Sequence, residues 1–265
     1  MNKNIKNIVT VTTLIGLLIL SACSNEPSND SSETTPPTES TSLTSANYPS
    51  DPVTFCGLAN PENATELTNE QALSHLALVN RCYRLSSTFT PDDLSPINVE
   101  SRRVLEGTHH LLREEAARAA EDLFQAAEAD GLFLVASSGF RSYEWQTFFH
   151  NNAVSELGLE EARRISAVPG HSEHQLGLAL DVSTRELDGG LEQTFSSTPE
   201  GQWLNANAHL FGFIISYPEG READTGFIYE PWHIRFVGVD AATEIFNNQL
   251  ILEEFLHLSH SDNQN

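Results

Sequence analysis

His174 and Asp181 sit seven residues apart in GHSEHQLGLALDVS, and Glu230 and His233 three apart in EPWH. Those two imidazoles and two carboxylates are the groups with which this chain can do chemistry. A hydrolytic zinc centre asks for three protein ligands from His, Asp, Glu or Cys, with one position open to water. His174, Asp181 and His233 make such a set, and Glu230 adds a carboxylate able to move a proton. Fully extended, the chain from 174 to 181 would hold the first two about 23 Å apart. Sharing one ion therefore requires a turn near Gln175 to Gly177, which glycine permits. Beyond the turn the residues alternate, with Gly177, Ala179 and Asp181 on one face and Leu178, Leu180 and Val182 on the other. The face bearing the acid is otherwise stripped of bulk and leaves room for a metal and a peptide.

Elements must bring these groups together. Pro231 does not fit a central strand ladder, so a kink or bulge in a strand TGFIYEPWHIRFVG is expected to aim Glu230 and His233 inward. Arg141, in SGFRS at a strand-to-helix junction, offers a fixed fork of donors suited to a carboxylate or a developing oxyanion. Leu105, Leu111, Leu112, Ala116, Ala119, Ala120, Leu123 and Ala127 recur at helical spacings, predicting one helix from about Ser101 to Asp130 with Gly131 as its stop. Further helices are expected at 69–77, 143 into the 150s, 156–166, 202–211 and 239–258, and strands at LFLVASSGF, 177–183 and GFIISYP. Helices and strands mix without a regular β-α-β period, so the fold class is α+β.

The first residues read as an address. Lys3 and Lys6 precede 13 mostly apolar residues, Ile8 to Leu20, too few for the roughly 20 of a membrane span. Leu20-Ser21-Ala22-Cys23 follows, and the whole resembles a bacterial lipoprotein signal, which implies cleavage after residue 22 and lipidation of Cys23. Ser24 to about Ser50 is rich in Ser, Thr and Pro and reads as a flexible tether. Residues 51–95 are expected to extend a catalytic domain at 96–260, with 261–265 as a tail. The formal charge is −23, and both lysines lie in the signal, so the mature chain carries −25 with arginine as its sole fixed cation. So acidic a chain argues against nucleic acid as a partner. Cys56 and Cys82 remain as a candidate disulfide worth roughly 3 kcal/mol, with two free thiols as the alternative.

Taken singly, each site residue is as well explained as a surface carboxylate or a hydrogen-bonded core histidine. Together, Ser172-x-His174-x-x-Gly177-x-Ala179-x-Asp181, Glu230-Pro231-Trp232-His233 and SGFRSY resemble the zinc D-alanyl-D-alanine carboxypeptidases of the VanY type, over a stretch from about Leu78 to Leu256. The resemblance implies a Hedgehog/DD-peptidase-like fold, a small antiparallel sheet flanked by helices. It implies one zinc ion on His174, Asp181 and His233, Glu230 as catalytic base, and Arg141 at the scissile bond. Ser172 and Gln146 are implied as further substrate-binding residues. The expected substrate is a peptidoglycan stem pentapeptide, cut by a monomer anchored outside the cell membrane. L,D-carboxypeptidase or endopeptidase activity is the enzymatic alternative, and a non-catalytic zinc- or wall-binding lipoprotein the other. Phe140 stands where the family often has Tyr, and Ser216 where it has Arg. His75, His109, His110, His150, His209, His257 and His260 are expected to have no metal role, and His171 to face water in a turn.

Overall fold

The computed structural model describes residues 56, 57, 59–102 and 110–262, all within one unit, Leu43–Asn265. The expected signal, Cys23 and the tether lie outside the described residues. Along the chain run β1 (Thr65–Glu66), α1 (Asn69–Leu73), β2 (Tyr83–Arg84), β3 (Leu94–Pro96), β4 (Leu111–Arg113) and α2 (Glu114–Ala129). β5 (Leu134–Ser138), α3 (Tyr143–Leu157) and α4 (Leu159–Ile165) follow, then a 3-10 turn at Glu173–Leu176 and β6 (Ala179–Thr184). The remainder is α5 (Pro199–Asn207), β7 (Phe213–Ile215), α6 (Glu222–Thr225), β8 (His233–Phe236), α7 (Val239–Asn248) and α8 (Leu252–Asp262). The mixture is α+β, as its sequence predicts.

The frame of the molecule is a four-stranded antiparallel sheet in the order β5-β6-β8-β7. All six residues of β6 are buried, because the strand is interior in the sheet and covered on both faces. Leu178, Leu180 and Val182 pack with Leu123, Phe195, Phe213 and Ile234 in the main core. Each such side chain contributes roughly 1.5–3 kcal/mol by leaving water. α2 lays Ala116, Ala120, Leu123 and Ala127, all fully buried, against that core. These residues recur every three or four positions, and Glu114 and Glu115 begin the helix at its positive dipole end. Leu67, Ala72, Val79, Leu85 and Phe89 join the same core, so the segment before residue 95 folds with the rest. Cys56 and Cys82 are bonded, with Cα atoms 5.6 Å apart.

Four expectations need correction. The helix expected from Ser101 begins at Glu114, since Leu111–Arg113 is a strand paired with Leu94–Pro96 and anchored by an Arg113–Asp93 ion pair of 3.0 Å. Residues 103–109, including His109, lie outside the described residues. The closing helix is two helices, broken where Gln249 takes a left-handed φ of 55°. α1 ends at Leu73, which leaves His75 beyond it. Finally, EPWH is a turn at the mouth of β8 and not a bulged strand: His233 N–H donates to Glu230 O at 3.1 Å.

Candidate active site

β6 and β8 set the site by register. Asp181 lies directly opposite His233 in their antiparallel pairing, so both side chains emerge on one face of the sheet. His174 arrives from the 3-10 turn that ends at Gly177, whose φ of 68° supplies the reversal the sequence requires. A β-carbon at Gly177 would stand 2.8 Å from Leu94 Cδ2, so that side chain would have to shift to admit one. The ligand atoms of His174, Asp181 and His233 all fall within 4.8 Å of one another, and all three residues are buried. His174 Nε2 is 3.3 Å from Asp181 Oδ2, and His233 Nδ1 is 3.0 Å from Asp181 Oδ1. The opposite nitrogens are spoken for. His174 Nδ1 donates to Gly139 O at 2.7 Å, and His233 Nε2 donates to Glu173 Oε2 at 2.9 Å. Two imidazoles and one carboxylate, each imidazole held from behind by an oxygen acceptor, match the donor set and outer shell of a zinc site.

A cleft of about 360 Å³ opens over this cluster, lined also by Glu230, Arg141, Ser172, Tyr217 and Trp232. Glu230 is 8% exposed. Burial pushes its carboxyl up to about 8, with Asp181 adding to the rise while His233 and Arg141 oppose it. That is the behaviour of a group poised to exchange a proton near neutral pH. Burial also raises Asp181, but His174 and His233 outweigh it and hold the carboxyl well below its usual range. Burial lowers His174, which favours the neutral ring that a metal needs. His233 behaves oppositely. Burial lowers it, yet hydrogen bonds to Asp181 and Glu173 win and lift it to about 10. A dication reaching Nδ1 takes the place of a proton, so binding releases that proton.

Arg141 stands beside the cluster, Nη2 being 3.8 Å from Asp181 Oδ2. Nη2 donates to Ser138 Oγ at 3.1 Å and Nη1 to Gln146 Oε1 at 2.9 Å. Nε is buried and has no hydrogen-bond partner among the described residues. Gln146 is fully buried and does not line the cleft; its amide donates to Ala167 O at 2.6 Å, so it braces the guanidinium from behind. Ser172 does line the cleft. His171, expected in water, is buried and donates to Asn80 O at 2.7 Å.

Sequence reasoning passed over Glu173, Arg235 and Tyr217. Tyr217 stacks on the His233 ring, centroids 4.9 Å apart. Arg235 lies two residues after His233 on β8, so period-two alternation was a usable signal for it. Glu173 carried no local signal, because the donors to its carboxylate, Ser216, His233 and Arg235, are 43, 60 and 62 residues away.

The VanY family, described as D-alanyl-D-alanine carboxypeptidase, matches residues 109–239. A Bacillus subtilis (strain 168) relative, "Putative carboxypeptidase YodJ", is 42% identical over 198 residues, covering 75% of this chain and 68% of its own. The chain belongs to the VanY carboxypeptidase family. Among solved structures, this VanY-family chain is similar to the LdcB LD-carboxypeptidase, at TM-score 0.68 and 42% identity, covering 72% of this chain and 89% of that one. It is also similar to VanYB in complex with D-alanine-D-alanine, at TM-score 0.56 and 34% identity, covering 69% of this chain and 97% of that one. A VanY mutant from the VanB-type resistance cassette, solved with Zn(II), matches at the same TM-score and identity. The fold is thus the Hedgehog/DD-peptidase-like one expected from the sequence.

Proposed function

We propose that this protein is a zinc-dependent D,D-carboxypeptidase that removes the terminal D-alanine from peptidoglycan stem pentapeptides. The observation that carries the reading is the convergence of His174, Asp181 and His233 within 4.8 Å, in one cleft with Glu230 and Arg141. The neighbours solved with D-alanine-D-alanine and with Zn(II) support that substrate and that ion. A non-catalytic zinc carrier would have no use for a buried carboxyl raised to about 8 or for a braced guanidinium at the ligands' side.

His174, Asp181 and His233 would hold the ion, which supplies Lewis acidity to a carbonyl oxygen and to a water. Glu230 takes a proton from the attacking water as its oxygen adds to the scissile carbonyl carbon. Glu230 then gives that proton to the amine as the C–N bond breaks, releasing D-alanine and the shortened peptide. Arg141, which lines the cleft, offers its guanidinium charge to the developing oxyanion or the substrate carboxylate, with Gln146 and Ser138 fixing the plane of its fork. Ser172 lines the path of the peptide. Cys23 is the proposed lipid attachment, and residues 24–50 the tether that lets a monomeric domain reach the wall.

L,D-carboxypeptidase action on tetrapeptides is the second reading, favoured by the greater likeness to LdcB, at TM-score 0.68 against 0.56 for VanYB. Mass spectrometry of purified pentapeptide and tetrapeptide after incubation with zinc-loaded protein separates the two. D,D-activity removes one alanine from the pentapeptide and leaves the tetrapeptide whole, and a chelator abolishes the loss. Trimming of the tetrapeptide alone transfers the assignment to the second reading.

A further inference from the structure

Glu173 is buried at the junction of the two ligand-bearing segments. It precedes His174 in the chain, on the same 3-10 turn, and its carboxylate reaches across to His233 on β8. Three donors fix that carboxylate. Oε2 accepts from His233 Nε2 at 2.9 Å and from Ser216 Oγ at 2.6 Å, and Oε1 accepts from Arg235 Nη1 at 3.0 Å. Arg235 is itself fully buried and spends its other donors on the backbone oxygens of His75, Ala77 and Phe236. The guanidinium therefore cannot turn, nor can the carboxylate it holds.

We infer that Glu173 is a positioning residue for the metal: it keeps the His233 proton on Nε2 and so presents Nδ1 to the ion. This rests on the zinc-site reading above. Each ring nitrogen faces a carboxylate, Nδ1 at 3.0 Å from Asp181 Oδ1 and Nε2 at 2.9 Å from Glu173 Oε2; once a cation takes the place of the Nδ1 proton, the acceptor-only Glu173 holds the remaining proton on Nε2. Because Glu173 and His174 share one turn, the same carboxylate also ties the spacing of that turn to β8. Ser216 supplies the hydroxyl that locks the oxygen facing His233.

Glu173→Gln keeps the shape but lets an amide N–H compete for the ring. Its zinc dissociation constant, measured by competition with a chromophoric chelator, is expected to rise about 10- to 100-fold while circular dichroism stays native. An affinity within twofold of wild type in a folded variant would overturn the inference. Should that variant fail to fold, the wild-type protein still decides. In the 1H–15N spectrum of the zinc-loaded form, His233 is expected to show an exchange-protected Nε2–H and a metal-bound Nδ1. The reverse arrangement, or an unprotected Nε2–H, would overturn it equally. Wild type that takes up no zinc would remove the functional reading along with this one, whereas zinc bound equally by wild type and variant removes the inference alone.

Discussion

In the proposed mechanism Glu230 differs from Asp181, the other acid lining the cleft, by changing charge during turnover, and its burial favours that change. Glu230→Gln removes the base and leaves the three ligands untouched. Zinc content by metal analysis is expected to stay at wild-type level, while kcat falls at least 100- to 10,000-fold. The pH dependence follows from the same burial. The proposed base must be ionised, so activity falls as pH drops through its pKa; burial, with the charges around it, lifts that to about 8 from an ordinary 4.5. A nearby dication pulls it down. The acid limb of kcat/KM is therefore expected between those two values, and a limb that persists unchanged in Glu230→Gln would assign it to another group. The clustering of His174, Asp181, His233, Glu230 and Arg141 was legible because their types and spacing resemble a family pattern. Gln146 and His171 were placed less well. Neither has a sequence signal that separates a cleft wall from the layer behind it, since burial there depends on contacts with Ala167 and Asn80.

At the scale of elements, the site is a turn and a strand register. Gly177 turns the chain that carries His174 back onto the strand that carries Asp181, with φ of 68° and Leu94 pressed against it. Gly177→Ala is expected to lose roughly 1–2 kcal/mol of stability from the backbone alone, read from a denaturant melt, and to weaken zinc binding as well. Wild-type stability and affinity in that variant would mean that the turn does not set the site. Its sequence announced this turn, because glycine at the point of reversal is a direct conformational signal. The short strand Leu111–Arg113 was hidden, because its apolar residues fit the helical period of α2 as well as they fit pairing with Leu94–Pro96. The break between α7 and α8 was hidden for a similar reason. Hydrophobic spacing continues across Gln249 while the backbone does not.

For the whole molecule, stability has a pH dependence separate from catalysis. Glu253 on α8 is buried and hydrogen-bonded by Asn80, and burial lifts its carboxyl to about 7. A carboxyl whose folded value exceeds its unfolded one favours the folded state below about 4.5 and loses that advantage as pH rises through 7. Glu253→Gln is therefore expected to become more stable than wild type above pH 7, by at most about 3 kcal/mol, with the gain shrinking towards acid. Thermal melts across that range test the sign; a gain that grows towards acid would refute it. The Cys56–Cys82 bond closes a separation of 26 residues around β1 and α1. Its reduction is expected to lower stability by roughly 3 kcal/mol, seen as a lower melting temperature in reductant. An unchanged melting temperature would mean that the packing of Leu67 and Ala72 holds this segment unaided.

Anomalous diffraction at the zinc edge, from crystals grown with the metal, tests the convergence of distant segments most directly. One peak is expected in the cleft, about 2.0–2.2 Å from His174 Nε2, an Asp181 carboxylate oxygen and His233 Nδ1. A zinc peak held by other residues, or none at this cluster in crystals that contain the metal, would contradict it.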